Sequence, residues 1–252
     1  IFEPIWKRNY IDHVEISGGI IAFHSKNYAT CLDGSYNDWD YDNDGQIKGD
    51  LGDMVDQSNY TQKNMEIHDN YIHDVSGEAM YLGPNDTTPN SFPRDLSNCN
   101  LKASSNPLME NLHVYNNTIE NWGRDGINPK GARVGCRVYN NTAIRGSNLL
   151  DPGQTGSISP NSDSTCEITN NKIIDALGPG IDDNGLGGNL IANNLIIRPG
   201  QGFAATNQIA AGIRLFGSNA KSPTLILNNT VIGAKGYGIN AERAANIQNN
   251  IV

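Results

Sequence analysis

A short pattern recurs down the chain: an apolar residue, any residue, Asn or Asp, then Asn, any residue, and a second apolar or small residue. It reads IHDNYI at 67–72, VYNNTI at 114–119, VYNNTA at 138–143, ITNNKI at 168–173, IANNLI at 191–196, ILNNTV at 226–231 and IQNNIV at 247–252. The second residue of each polar pair is Asn70, Asn117, Asn141, Asn171, Asn194, Asn229 and Asn250, at successive gaps of 47, 24, 30, 23, 35 and 21 residues. A base period of 21–24 residues follows, and the longer gaps hold insertions. After each Asn motif comes a second element, an apolar residue in a Gly-rich frame: GEAMYLG, RDGINPKG, TGSISPN, GPGIDDNG, AAGIRLFG and GYGINAE.

Repeats of this length predict a solenoid, each coil carrying one strand before the Asn, one after it and one at the Gly-rich element. Asn tolerates left-handed backbone and bonds through its amide, so the same Asn in every coil can turn the chain and bind the next coil. Coils would stack about 4.8 Å apart, the ordinary strand spacing. Ankyrin and leucine-rich arrays need helical periodicity or dense leucine, and neither is present. The fold class is therefore all-β: a parallel β-helix with three short strands per coil, an asparagine ladder and loop insertions.

On these motifs the chain resembles the pectin-lyase-like superfamily of right-handed parallel β-helices, through six or seven coils from about residue 64 onward. Residues 1–28, with HVEISGGII at 13–21, look like an earlier coil, and 1–252 reads as a single β-helix domain forming part of a longer protein. The resemblance implies a secreted or cell-surface protein acting on an acidic polysaccharide, by lyase-type elimination or related chemistry. Lyases, hydrolases, epimerases and adhesins share the architecture, so a non-catalytic adhesin, filament or surface module is an alternative. A polygalacturonase-like hydrolase is another: IDDNG at 181–185 is similar to the paired aspartates of that family, but its Gly-His-Gly and Arg-Ile-Lys motifs are absent.

The superfamily's substrate groove lies along one sheet, here the Gly-rich element. Strand alternation turns the residue after each apolar position outward: Tyr81, Asn128, Ser159, Asp182, Arg214 and Asn240. Two residues later come Gly83, Lys130, Asn161, Asn184, Phe216 and Glu242. These outward side chains are expected to face solvent. Elimination on an acidic sugar needs a cation, a base and an acid. Lys130, Asp182 and Arg214 are the catalytic candidates: Lys130 or Arg214 to neutralise or act as base, Asp182 to bind a cation. Tyr81, Arg124, Asn128, Asn184 and Phe216 are the substrate-binding candidates, with Asp125 and Asp183 flanking.

Insertions near 28–62, 84–109, 147–163 and 200–210 are where function is expected to concentrate. The first contains DYDNDGQIKGDLGD, which resembles the calcium loops of EF-hands and dockerins. Alternating carboxylates converge on a hard cation and Gly permits the turn, giving Asp40, Asp42, Asp44 and Gln46 as calcium ligands. Position twelve of such a loop is Leu51, so Asp50 or Asp53 must supply the missing acid.

A net charge of −9 and unclustered Lys and Arg argue against nucleic acid, and no apolar run is long enough to span a membrane. An acidic chain would also repel an acidic polymer unless a cation or local base cluster reverses the field. Self-association is left open. Cys136 and Cys166 each sit five residues before a ladder Asn, so they should touch, as a disulfide or as the inward stack of free thiols that is the plainer expectation. Cys31 and Cys99 lie in insertions. The five His, His13, His24, His68, His73 and His113, lack ligand spacing, and His68 and His113 occupy equivalent repeat positions. Asn-Xaa-Thr triplets begin at Asn59, Asn85, Asn116, Asn140 and Asn228; the last three arise from the ladder motif and are expected to be unmodified.

Overall fold

A computed structural model describes residues 9–25, 62–83, 108–217 and 222–252. All strand pairing among them is parallel, as successive coils of a right-handed β-helix require. The first sheet has eight strands, from Asn9–Asp12 to Ala245–Gln248, and precedes the Asn motif in each coil. Seven strands, from Glu15–Ser17 to Thr230–Ile232, form the second sheet after the Asn. The third sheet is built at the Gly-rich elements, as Phe23–Ser25, Met80–Leu82 and Ile127–Pro129, then Ile181–Asp183, Ala211–Leu215 and Tyr237–Ala241. Ile158 bridges the two halves by pairing with both Ile127 and Ile181. Residues 155–161 therefore belong to a coil, and the insertion expected over 147–163 shrinks to its first half. Residues 9–25 give a strand to each of these three sheets, as an earlier coil should; a further short sheet of Gln62–Lys63, Met109–Glu110 and Ala132–Val134 precedes the first sheet in three coils.

Each sheet sends one apolar column inward. Ile67, Val114, Val138, Ile168, Ile191 and Ile226 line the first, and Ile72, Ile119, Ala143, Ile173, Ile196 and Val231 the second. Met80, Ile127, Ile158, Ile181 and Ile213 line the third. All are buried. Full burial of such a side chain is worth about 1.5–3 kcal/mol, so these columns supply most of the driving force for stacking coils.

Seven asparagines stack as the repeat predicts. Nδ2 of Asn70, Asn117, Asn141, Asn171, Asn194 and Asn229 each donates to Oδ1 of the next ladder Asn at 2.9–3.0 Å. Each Oδ1 also accepts the backbone N–H of the preceding ladder Asn, and each Nδ2 donates to a carbonyl of the preceding coil, as Asn171 does to Val138. Turning and bonding, however, are divided between two residues. The left-handed backbone belongs to the residue before the ladder position: Asp69, Asn116, Asn140, Asn170, Asn193, Asn228 and Asn249, with φ of 54–58°. Its neighbour is thereby aimed into the core.

Two further turn columns carry no obvious sequence signal. Asp74, Asn121, Arg145, Asp175, Arg198 and Gly233 end the second-sheet strands with φ of 50–65°. There Arg198 forks onto Asp175 at 2.5 and 2.8 Å, and Arg145 pairs with Glu120. Asn64, Asn111 and Gly135 form the other, entering the first sheet. Asn111 donates to Asn64 at 2.9 Å, and a Cβ on Gly135 would lie 2.3 Å from the Asn111 Oδ1.

Cys136 and Cys166 are register partners and form a disulfide, so the stack of free thiols is corrected. Their inward strand positions bring the Cα atoms to 4.6 Å, within bridging range. His68 and His113 are not equivalent either: His68 pairs in register with Tyr115, and His113 with Glu66. His68 stacks on Tyr115 at 4.6 Å and Tyr115 on Tyr139 at 4.9 Å, an aromatic column along the outside of the first sheet. The acidic loop with Asp40, Asp42, Asp44, Gln46, Asp50 and Asp53 lies outside the described residues, as do Cys31 and Cys99.

Candidate functional site

Strand register places the expected outward row on one line of the third sheet: His24, Tyr81, Asn128, Ser159, Asp182, Arg214 and Asn240. Lys130 is aligned with Asn161 in the row beside it. The expectation that these side chains face solvent is corrected. Tyr81, Asn128, Lys130, Asp182 and Arg214 are all buried, none more than 6% exposed.

Mutual satisfaction of charge is one reason. Arg214 Nε and Nη2 each donate to an oxygen of Asp182 at 2.6 Å, a bidentate fork that matches a carboxylate. The same guanidinium lies 4.1 Å from the Phe216 ring centroid. Lys130 Nζ sits 4.0 Å over the Tyr81 ring, whose edge meets His24. Arg124, by contrast, is exposed and approaches Asp151 at 3.5 Å, apart from the buried row. Asn184 and Phe216 are half-buried at the next outward positions.

At the centre lies Asp125, a residue expected only to flank the row. Asp125 is buried, and its Oδ1 accepts the Ser159 hydroxyl at 2.8 Å and the Gly156 N–H at 2.9 Å. Asn128 Nδ2 donates to Oδ2 of Asp125 at 2.8 Å and reaches Glu78 at 3.4 Å. Burial pushes the Asp125 carboxyl up to about 8; the Ser159 and Gly156 bonds oppose the rise, and the charges of Asp182 and Glu78 add to it. Burial also raises Asp182, against the pull of Arg214. Crowding here requires glycine: a Cβ on Gly156 would fall 2.0 Å from Ser159 Oγ and 2.7 Å from Asp182 Cβ.

The arrangement holds a carboxyl that keeps its proton near neutral pH, two coils from a carboxylate forked by arginine. Such a pair can supply a proton to a leaving oxygen. Among the described residues no group of three or more His, Cys, Asp and Glu is placed to hold a metal ion.

Asp183, the other flanking acid, serves the fold instead. It is fully buried and takes both oxygens' bonds from Asn189 Nδ2 at 2.9 and 2.8 Å, with Gly185 N–H and Thr224 completing the set. Arg243 approaches it at 2.5 Å as a charge contact, while its Nη1 donates to the Gly185 and Phe216 carbonyls. Neither Asn189 nor Arg243 repeats along the chain, so periodicity gave no means of finding them.

No helix among the described residues is long and apolar enough to cross a membrane. Comparison with curated proteins and with solved structures finds no match in either. A family described as "Right handed beta helix region" matches residues 59–252, the span that holds six of the seven described third-sheet elements and the whole Asn ladder. The chain belongs to this right-handed β-helix family.

Proposed function

We propose that the protein is an exported, carbohydrate-active β-helix that engages an acidic polysaccharide along the third sheet, with Asp125 as the proton donor. The observation that carries this reading is Asp125 itself, a carboxyl raised to about 8 and hydrogen-bonded to Asn128 and Ser159 of the polar row. Strongly perturbed acids concentrate at functional sites because catalysis at neutral pH needs a group still holding its proton. Lys130 would neutralise a uronate carboxylate, and Asp182 would be the second carboxylate of an acid pair. Arg214 is committed to Asp182 through two hydrogen bonds, which removes it from the base role that elimination requires. The same bonds hold Asp182 in place, and the pairing of Asp125 with a second carboxylate favours hydrolysis over the lyase chemistry the family resemblance suggests first, for which Lys130 is the remaining base candidate. The acidic loop at 40–53 would bind calcium and offset the net charge of −9 that otherwise repels such a polymer.

The test is a panel of pectate, alginate and glycosaminoglycans, read both by reducing ends and by absorbance of unsaturated product. Reducing ends without unsaturated product are expected, lost in Asp125→Asn while the melting profile is retained. If no polymer reacts, or Asp125→Asn keeps full activity, the assignment fails. One observation favours a second reading, a non-catalytic surface or filament module: the outward row is closed to solvent from Tyr81 to Arg214, and the charges of Asp182 and Arg214 satisfy one another. Inactivity on every polymer, with binding to none, would support that reading.

A further inference from the structure

We infer that the edge between the first and second sheets carries N-linked glycan, at Asn228 and at one of the pair Asn116 and Asn140. Three ladder motifs are also Asn-Xaa-Thr triplets: Asn116-Asn117-Thr118, Asn140-Asn141-Thr142 and Asn228-Asn229-Thr230. Their origin in the ladder does not disqualify them, because ladder geometry is what presents them. The middle Asn is buried in the column, while the first takes a left-handed turn at φ 55–56° and is exposed. Strand alternation then turns the Thr outward again, as the half-buried Thr118, Thr142 and Thr230 show. Acceptor amide and hydroxyl thus lie on the same outer edge.

The other members of this turn column, Asp69, Asn170, Asn193 and Asn249, are followed two residues later by Tyr71, Lys172, Leu195 and Ile251, none of which supplies the required hydroxyl. Asn116 bonds to Asp69, whose acidity it increases. Asn116 and Asn140 lie on adjacent strands, about 4.8 Å apart, too close for two oligosaccharides to share. Asn228 stands between Asn193 and Asn249, which carry no acceptor triplet, so nothing competes with it.

Modification couples Nδ2 of the asparagine to the anomeric carbon of an oligosaccharide carried on a lipid diphosphate, under a membrane glycosyltransferase. A C–N bond forms, the C–O bond to phosphate breaks, the lipid diphosphate leaves and one Nδ2 proton is released. The Cys136–Cys166 disulfide fits the oxidising compartment in which this happens. The edge lies between the first two sheets, so glycan there leaves the third sheet uncovered. The inference rests on export and not on the carbohydrate chemistry of Asp125, and the two can fail separately.

The full chain would be routed through a eukaryotic secretory pathway and its glycosylated positions mapped by mass spectrometry of peptides deglycosylated in heavy-oxygen water. Asn59→Gln and Asn85→Gln in the same chain confine the reading to the three ladder triplets. Intact mass should then show at most two glycans per molecule, with Asn228 occupied and Asn116 and Asn140 never occupied together. Thr230→Ala should remove one glycan while leaving Asn228 and the ladder in place, and Thr230→Ser should restore it. Folded, disulfide-bonded, exported protein lacking glycan at Asn228, or carrying three per molecule, overturns the inference.

Discussion

Replacing Asn171 by Ala separates the two roles that the paired asparagines divide. The Asn171 side chain donates to Asn194 Oδ1 at 3.0 Å and to the Val138 carbonyl at 2.9 Å. Its Oδ1 accepts the backbone N–H and Nδ2 of Asn141, both at 3.0 Å. At about 1 kcal/mol net for each of these four contacts, the loss is roughly 4 kcal/mol, with orphaned buried groups keeping it from being smaller. For a domain of this size that lowers the melting temperature by roughly 8–16 °C. Asn170→Gly, one residue away, should change stability by a few tenths of a kcal/mol, because glycine accepts φ of 57° without penalty and the Asn170 side chain is exposed. Urea and thermal denaturation of the two variants, with the disulfide intact, make the comparison. Equal effects, or a larger effect at Asn170, would refute the division of labour.

Other consequences follow from single contacts. Protonated His73 donates from Nδ1 to Asp74 at 2.7 Å and from Nε2 to Glu15 at 3.0 Å, and these partners, Asp74 first, raise its pKa above the ordinary value near 6.5. A raised folded-state value means the tether is fully present below the unfolded value and is lost as pH rises through the folded one. Hydrogen exchange in residues 9–25 should therefore quicken more on going from mildly acidic to alkaline pH than intrinsic chemistry accounts for, and His73→Gln should abolish the excess. Reducing the Cys136–Cys166 bond, which closes a separation of 30 residues, should cost about 3–4 kcal/mol in denaturation midpoints of oxidised against reduced protein; no difference would mean that the coils are held without it. Calcium should raise the melting temperature and a chelator reverse it, with Asp40→Asn plus Asp42→Asn removing the response; an unchanged melt would return that loop to a plain acidic segment.

Much of the architecture was legible because one chemical solution is repeated. Seven Asn on a base period of 21–24 residues interrupted by insertions, each beside a second polar residue and flanked by apolar positions, leave little choice but stacked coils. Which Asn turns and which bonds was not legible, since both are asparagine and only the backbone distinguishes them. The column of Asp74, Asn121, Arg145, Asp175, Arg198 and Gly233 was hidden for the opposite reason: arginine is no ordinary left-handed residue, and it is held there by ion pairs between coils. Alternation assigned the correct outward row on the third sheet, yet it could not foresee burial. Whether Asp182 faces water or Arg214 depends on what the neighbouring coil presents 32 residues later. Asp125 escaped because it precedes Gly126, where the strand alternation has not yet begun, and its partners Ser159 and Gly156 come from the next coil.

The measurement that bears most directly on the proposed chemistry is the titration of Asp125 in the intact protein. Carbon-13 labelling of aspartate carboxyls, followed by NMR from acid to mildly alkaline pH, resolves each acid, and Asp125→Asn identifies the signal by its loss. One buried carboxyl should titrate near 8, held there by burial and by the neighbouring charges of Asp182 and Glu78. If the Asp125 signal instead titrates in the ordinary carboxylate range near 4, it holds no proton to donate at neutral pH, and the third sheet loses its candidate acid.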